Sequence, residues 1–227
     1  MFGVGDRMQA TEEVYSEPFS VTRRLEALGL KLDALLDSVL AGAQKRRACT
    51  KLHPPMFPGL AQWAETTHRL RERHIPEGWA PTDDSNYSLI VSRNGKTAIA
   101  VASGDENTGL VEGCPATSSP KGPHTMSAVA AHQLALDLEI PPELEAILEA
   151  FSVDPNRETW LLLTHWSERD GLVEVRAELS LPLAIAENQK VIGWRERIIL
   201  PSTSLGPTDI EFPKHTPDLD IDVRKRA

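Results

Sequence analysis

The chain has 227 residues, of which 41% are hydrophobic and 25% are charged, and its formal net charge is −9. These values are typical of a globular protein with one well-buried domain and appendages. The negative charge argues against a general attraction to the phosphates of nucleic acid. No apolar run approaches the roughly 18 residues of a membrane helix, and the N-terminal residues lack the pattern of a secretory signal. Cys49 and Cys114 form neither a disulfide framework nor a metal-binding spacing, so we expect a cytoplasmic protein.

Residues 1–52 are predicted to form a loose leader followed by one amphipathic helix. Leucines and valines recur at helical spacing from Ser20 to Arg47. The basic residues at the end of this segment suit the last turn of a helix, where cations meet the negative end of the dipole. The resulting leucine stripe requires an apolar partner. It either packs on the domain that follows or forms a homodimer through residues 20–47 of a second copy.

Residues 53–201 are predicted to form a single α+β domain. The domain begins with a helix from Gly59 to His74, and a β-hairpin follows. The hairpin strands, 87–92 and 96–102, flank Asn94-Gly95, which is a strong signal for a tight turn. The further helices predicted by apolar spacing are residues 125–138 and 141–151.

Three alternating segments, 159–166, 172–183 and 191–200, predict a β-meander that completes this domain. In the second segment apolar residues alternate with charged ones, which indicates one buried face and one solvent-exposed face. Together these elements predict an α+β fold with an antiparallel sheet, made of the hairpin and the three-stranded meander, and helices packed on one face. The charged residues expected on the exposed face of the sheet are Glu174, Arg176, Glu178, Arg195 and Arg197.

The final segment, residues 202–227, is rich in proline and aspartate and is predicted to be a tail. Two short alternating stretches in it, 209–212 and 219–223, either add to the sheet as edge strands or form a linear motif. The aspartates of the second stretch lack the glycine and the terminal glutamate of a calcium-binding loop.

The loop 103–124 is the strongest candidate for a binding site, because loops longer than about 12–15 residues inside a domain are commonly functional. Its glycines at positions 104 and 109 have the spacing of a phosphate loop, but the lysine and hydroxyl residue that should follow are missing. The last part of the loop precedes a predicted helix, and the N-terminus of a helix attracts anions. The candidate anion- or ligand-binding residues are Asp105, Glu106, Asn107, Lys121, His124 and Thr125.

A second candidate surface consists of arginines, which form a patch for a protein partner or for nucleic acid. These residues are Arg69, Arg71, Arg73, Arg195 and Arg197. The alternative is that they are only solvated helix and sheet faces. Cys114 with His124 is too weak a pattern for a nucleophile and its base, and no metal-binding or cofactor motif is visible, so we assign no catalytic residue, metal site or cofactor.

Several segments carry a resemblance: Ala98–Gly109 with Pro120–Gly122, Arg176–Pro182 with Trp194–Pro201, and Asp220–Arg224. They resemble an uncharacterised protein family of bacterial phages and integrated mobile elements, over about residues 53–227. The resemblance implies a genomic context and no activity. Accessory proteins of mobile elements often act on host machinery, and by that analogy we expect a non-enzymatic protein that binds a host protein or protein complex, such as a CRISPR-type defence system. The alternative is a nucleotide- or nucleic-acid-directed protein or enzyme that uses the 103–124 loop.

Overall fold

The computed structural model describes residues 13–84, 87–136, 140, 142, 145–147 and 156–206. The strands are β1 (Glu13–Tyr15), β2 (Ala80–Asp84), β3 (Tyr87–Val91), β4 (Thr97–Ser103), β5 (Glu158–Arg169), β6 (Leu172–Ile185) and β7 (Val191–Leu205). The principal helices are α1 (Pro18–Ala27), α2 (Leu32–Arg47), α3 (Phe57–His74) and α4 (Pro123–Ala135). All seven strands belong to one sheet, in the order β1-β7-β6-β5-β4-β3-β2.

The sheet consists of two antiparallel blocks joined by a parallel pair. Strands β2, β3 and β4 form the first block, and β5, β6 and β7 form the second. β4 and β5 run parallel, with Thr97 opposite Glu158 and Ser103 opposite Thr164. β1 is also parallel to its neighbour and pairs with β7 at the far edge. A parallel pair needs a long crossover, and the chain between β4 and β5 provides it.

The predicted hairpin and the predicted meander are both confirmed as local units. The predicted fold class is wrong, because the sheet is mixed and has seven strands. The alternation of apolar residues reports which face of a strand is buried, but not which strand is its neighbour or in which direction that neighbour runs. β1 and β2 are short edge strands in stretches without a clear apolar alternation, so the sequence does not identify them.

The single leucine-striped helix predicted over residues 20–47 is also wrong, since the segment forms two helices. Gly29 has a φ of +74°, in the left-handed region that favours glycine, and it lies between the end of α1 and the start of α2. The leucine stripe nevertheless continues across the break. Leu25, Leu30 and Leu35 are all buried in the main hydrophobic core, together with Ile99 and Trp160 of the sheet. The stripe therefore packs on the chain's own sheet, and the apolar residues expected at a homodimer interface are used within the chain.

Helices lie on both faces of the sheet, which corrects the prediction that they pack on one face. α1, α2 and α3 contribute to the core on the first face. On the second face a smaller core is formed by residues from β3, β4, β5 and β7, and Tyr87 packs against it. The ring of Tyr87 stacks on His124 of α4, and Nδ1 of His132, on the same helix, donates a hydrogen bond to the carbonyl oxygen of Pro182 in β6. α4 therefore covers part of the second face.

The loop 103–124 covers another part of the second face and buries the middle of the meander face that was predicted to be solvent-exposed, whereas Glu174 at its margin stays exposed. Glu178 and Arg197 lie on this face, with relative exposures of 0% and 1%. Nη2 of Arg197 lies 2.7 Å from Oε2 of Glu178, and its two terminal nitrogens donate to the carbonyl oxygens of Gly113 and Leu110. The N–H of Gly109 in turn donates to Glu178. Because unpaired charges are rarely buried, the loop and this ion pair depend on each other.

The predicted division of the chain into three parts, with boundaries at residues 52 and 201, stays a prediction. Two observations concern these boundaries. α1 and α2 share one core with the strands that follow, and β7 continues to Leu205. The strands or linear motif predicted within 209–223 lie outside the described residues, as does most of the helix predicted over 141–151.

Candidate functional site

A polar cleft of about 380 Å³ lies where β4 ends and its parallel pairing with β5 stops, at Ser103 and Thr164. β4 ends at Ser103, and the loop that follows is held against the middle of β5 by a hydrogen bond from the N–H of Gly104 to the carbonyl oxygen of Thr164, at 3.0 Å. Ser118 returns to the same place, because its N–H donates to Ser103 and its hydroxyl donates to Gly104. Ligands commonly bind beyond the carboxyl end of a parallel strand, and the cleft beyond the end of β4 is therefore the first candidate site.

Arg46, in the last turn of α2, is the principal cation of the cleft. Its Nη1 donates to Oε1 of Gln62 in α3 at 3.0 Å, and its guanidinium carbon lies 4.9 Å from the centre of the Trp166 ring. Gln62 is buried, and its Nε2 lies 3.3 Å from Oγ1 of Thr164. Burial lowers the pKa of Arg46, and the more distant acidic groups Cys49 and Glu168 oppose this shift.

The close approach of α2 and α3 places Gln62 beneath Arg46. Gly42 of α2 is buried against α3, and a Cβ at this position would lie 2.7 Å from the carbonyl oxygen of Gln62 and against the side chain of Thr66. Only glycine leaves room for the two backbones at this distance. The orientation of Arg46 therefore depends on a helix contact made one turn earlier.

The remaining charges of the cleft come from the loop and the meander. Asp105 and Glu106 line it from the loop, His165 lines it from β5, and Lys190 lines it from the turn before β7. One carboxylate oxygen of Asp105 accepts the N–H of Asn107 at 3.1 Å, and Nδ1 of His165 lies 3.3 Å from the carbonyl oxygen of Gly104. The cleft thus presents both cationic and anionic side chains to a ligand.

A second cavity, of about 540 Å³, shares Arg46 and Trp166 with the cleft. Its other lining residues include Arg47, Cys49 and Pro58. We call the two cavities together the Arg46 groove. The groove extends from the loop after β4 to the turn between β5 and β6.

An exposed apolar segment, residues 52–60, lies beside the second cavity. Leu52 is 94% exposed and Met56 is 78% exposed, and Phe57 and Leu60 are also exposed. The ring of Phe57 stacks on His53 with 4.9 Å between centroids, so the segment has local order. Single exposed apolar residues are ordinary, whereas several adjacent ones commonly mark an interaction surface.

The structure separates the six candidate residues of the 103–124 loop into two places. Asp105 and Glu106 line the cleft, and Asn107 lies in the same turn. Lys121, His124 and Thr125 lie at the start of α4, where the N–H of Lys121 donates to the carbonyl oxygen of Gln189. Burial lowers the pKa of Lys121.

Tyr87 of β3 packs against two of the candidate residues at the start of α4. Burial raises the pKa of Tyr87 to about 12, and its interaction with Thr125 opposes that rise. Thr125 is buried, and His124 stacks on the Tyr87 ring. Contact with Tyr87 therefore explains the positions of His124 and Thr125 without a bound ligand.

The five candidate arginines do not form one patch, and each has a carboxylate partner. Arg69 and Arg73 both lie 3.6 Å from Asp37, while Arg71 contacts Asp83 at 2.8 Å. On β7, Arg195 lies 3.6 Å from Glu158, and Arg197 is buried against Glu178. These pairings weaken the positive field that a phosphate backbone requires.

Arg46, Gln62, Trp166, His165 and Lys190 were not identified as site residues from the sequence. Arg46 belongs to Lys45-Arg46-Arg47, a cluster whose position in the last turn of a helix is already explained by the helix dipole. Gln62 and Trp166 occupy ordinary positions in amphipathic elements. Their convergence is a tertiary property, and the basic cluster at the end of α2 was the only signal that could have indicated it.

Within the part of the chain that the structure describes, no group of three or more His, Cys, Asp or Glu residues is arranged to hold a metal ion. None of the described helices combines the length and the apolar character that crossing a bilayer requires. Comparison with known proteins gave no matching family model, no matching curated protein and no matching solved structure.

Proposed function

We propose that the protein is a non-enzymatic accessory protein of a phage or mobile element that acts by binding a host protein through the apolar segment 52–60 and the adjoining part of the Arg46 groove. The observation that carries the proposal is the exposure of Leu52, Met56, Phe57 and Leu60 in one short segment. Burying such side chains against a partner is favourable by roughly 25 cal/mol per Å² of apolar surface. None of the four belongs to either of the two hydrophobic cores of the chain.

Charge indicates the chemistry of the partner. The apolar segment follows four basic residues in the sequence, Lys45, Arg46, Arg47 and Lys51, although the whole protein carries a net charge of −9. Arg46 and Arg47 line the second cavity beside the segment, together with Glu168. A mainly basic stretch beside an apolar segment complements a partner surface with apolar residues and an acidic border. We therefore expect an acidic host protein, and a component of a defence complex fits the mobile-element context that the resemblance implies.

The nucleotide- or nucleic-acid-directed alternative has weaker support. Asp105 and Glu106 place negative charge in the cleft beside the loop, and the arginines expected to contact phosphates are already paired with carboxylates. A phosphate backbone would meet repulsion at the first place and little free positive charge at the second.

The test is a capture experiment with the full chain. The tagged protein is incubated with bacterial lysate, and complexes are analysed by size-exclusion chromatography with nuclease present and absent. We expect a stoichiometric complex with an acidic protein, which Leu52→Ser/Met56→Ser abolishes. Phe19→Ser is the matched control, because Phe19 is 79% exposed but belongs to α1. This variant should retain the complex.

Two results would contradict the proposal. A complex that survives Leu52→Ser/Met56→Ser shows that the partner binds elsewhere. A complex that disappears on nuclease treatment shows that nucleic acid, rather than protein contact, holds it together.

A further inference from the structure

The electrostatic environment of Arg46 differs from that of other arginines in the structure. Arg24, Arg71 and Arg197 each contact a carboxylate at 2.7–2.8 Å. Arg46 is half-buried, yet among the described residues it forms no ion pair, and its direct contacts are the neutral side chains of Gln62 and Trp166. The carboxylate of Glu168 acts on it only from beyond ion-pair distance. A cation–π contact and one hydrogen bond offset only part of the cost of removing a guanidinium from water.

The orientation of Arg46 is fixed by its neighbours. Gln62 is 5% exposed and is itself held by Thr164, so the hydrogen-bond acceptor of Nη1 does not move freely. A guanidinium has five N–H donors, and Gln62 uses one of them. The remaining donors can form the paired hydrogen bonds that a carboxylate accepts, and a fixed orientation reduces the entropy lost on binding.

The loop supplies opposite charge to the same cleft. Neither Asp105 nor Glu106 forms an ion pair with any residue in the described part of the chain, and both line the cleft. Asp105 is oriented by the hydrogen bond from the N–H of Asn107 to its Oδ1. An anionic ligand without a cationic group could bind Arg46, but its negative charge would then be repelled by Asp105 and Glu106.

We propose that the cleft binds a small zwitterion of the amino-acid type, with its carboxylate on Arg46 and its protonated amine on Asp105 and Glu106. The cleft's volume of about 380 Å³ suits a small molecule. The mixed charge selects against polyanions, and the polar lining, with Ser103, Ser118 and Thr164, selects against apolar ligands. This inference does not depend on the proposed protein partner, which is assigned to the other side of Arg46.

The test uses isothermal titration calorimetry on the full chain with four classes of probe. These are the standard amino acids tested singly, carboxylic acids that lack the amine, amines that lack the carboxylate, and inorganic phosphate. We expect at least one amino acid to bind, and its acid and amine analogues to bind about tenfold more weakly or worse, because each loses a charge-assisted contact.

Variants locate the binding. Arg46→Gln and Asp105→Asn should each weaken binding of that amino acid by about tenfold or more. Asp105→Asn retains an oxygen for the N–H of Asn107, so the loop should keep its conformation. Arg93→Gln is the charge-matched control at the exposed hairpin turn, and it should bind as the wild type does. Circular dichroism and the thermal midpoint of each variant establish that it is folded.

The inference is overturned if no amino acid binds the folded wild type at millimolar concentration. It is equally overturned if phosphate or the amine-free acids bind as well as the amino acid, since the site would then recognise an anion alone. Binding that is unchanged in folded Arg46→Gln would place the ligand outside the cleft.

Discussion

The guanidinium of Arg197 and the carboxylate of Glu178 form a buried ion pair on adjacent strands, and both side chains also bind the backbone of the loop that covers them. Buried ion pairs elsewhere can often be replaced by apolar pairs at no loss. Here the pair is also the hydrogen-bonding partner of three loop backbone groups. Its replacement by an apolar pair would leave those part-buried groups without these partners.

Replacement of Glu178 by glutamine should destabilise the protein by about 3–5 kcal/mol, because Arg197 would keep its charge in a buried position and lose the carboxylate of Glu178. Chemical denaturation measures the change in the free energy of unfolding. Glu174→Gln is the control, since Glu174 is exposed and lies 3.8 Å from Arg176, and it should cost less than about 1 kcal/mol. Equal effects of the two variants would show that Glu178 is not buried beneath the loop.

Two glycine-to-alanine substitutions, at Gly42 and Gly59, should change the stability of the protein in opposite directions. At Gly42 the added methyl would collide with Gln62 and Thr66, and overpacking of this kind costs about 1–3 kcal/mol. At Gly59, in the first turn of α3, a Cβ meets nothing within 4 Å, and alanine should stabilise the helix by about 0.4–1 kcal/mol. Thermal unfolding of both variants tests the pair. A neutral Gly42→Ala would mean that α2 and α3 are further apart than described.

Acidification should destabilise the protein through His74 and His132, since burial lowers the pKa of both. The N–H of Thr159 donates to Nε2 of His132, so this nitrogen must be unprotonated in the folded state. Below the ordinary histidine pKa of about 6.5 the unfolded chain binds protons that the folded chain does not. The free energy of unfolding should therefore decrease as the pH is lowered below about 6.5, by up to about 1.4 kcal/mol per pH unit for each histidine.

Unfolding free energies measured above and below this pKa test the histidine prediction. His132→Gln should reduce the loss between the two pH values, and His68→Gln, at an exposed position, should leave it unchanged. If His132→Gln shows the full loss of the wild type, His132 does not cause the pH dependence.

Truncation of the leucine stripe should destabilise the monomer itself. Leu35 is fully buried in the main core, and Leu35→Ala should cost about 2–5 kcal/mol. Sedimentation should give the same mass for the wild type and the folded variant, and the unfolding midpoint should not depend on protein concentration. A midpoint that rises with concentration in the wild type would instead indicate that residues 20–47 join two copies.

The local units of the fold could be predicted from the sequence, whereas their assembly could not. Asn94-Gly95 and the alternation from Val173 to Leu181 indicate a hairpin and a meander because turn chemistry and side-chain period are local properties. The direction of β5 beside β4 depends on the crossover between them. Glu178 and Arg197 also alternate with apolar residues as exposed charges would, and only the covering loop distinguishes them from exposed charges.

The candidate site was predicted only in part for the same reason. Asp105 and Glu106 could be predicted because they lie in a loop longer than about 12–15 residues, and such loops inside a domain are commonly functional. Arg46 was assigned to the helix dipole, and its contacts with Gln62 and Trp166 join segments that are distant in the chain. Such a site arises when helices and strands pack, and no spacing in the sequence encodes it.

The parallel junction between β4 and β5 has a consequence for how the chain reaches its native state. The hairpin and the meander pair residues that are close in sequence, so each can form early. Thr97 meets Glu158 only after the intervening chain has crossed the sheet. Closing such a long connection is entropically costly, so we expect this junction to form late and to limit the folding rate. Until it forms, the facing edges of β4 and β5 remain open to pairing with other chains.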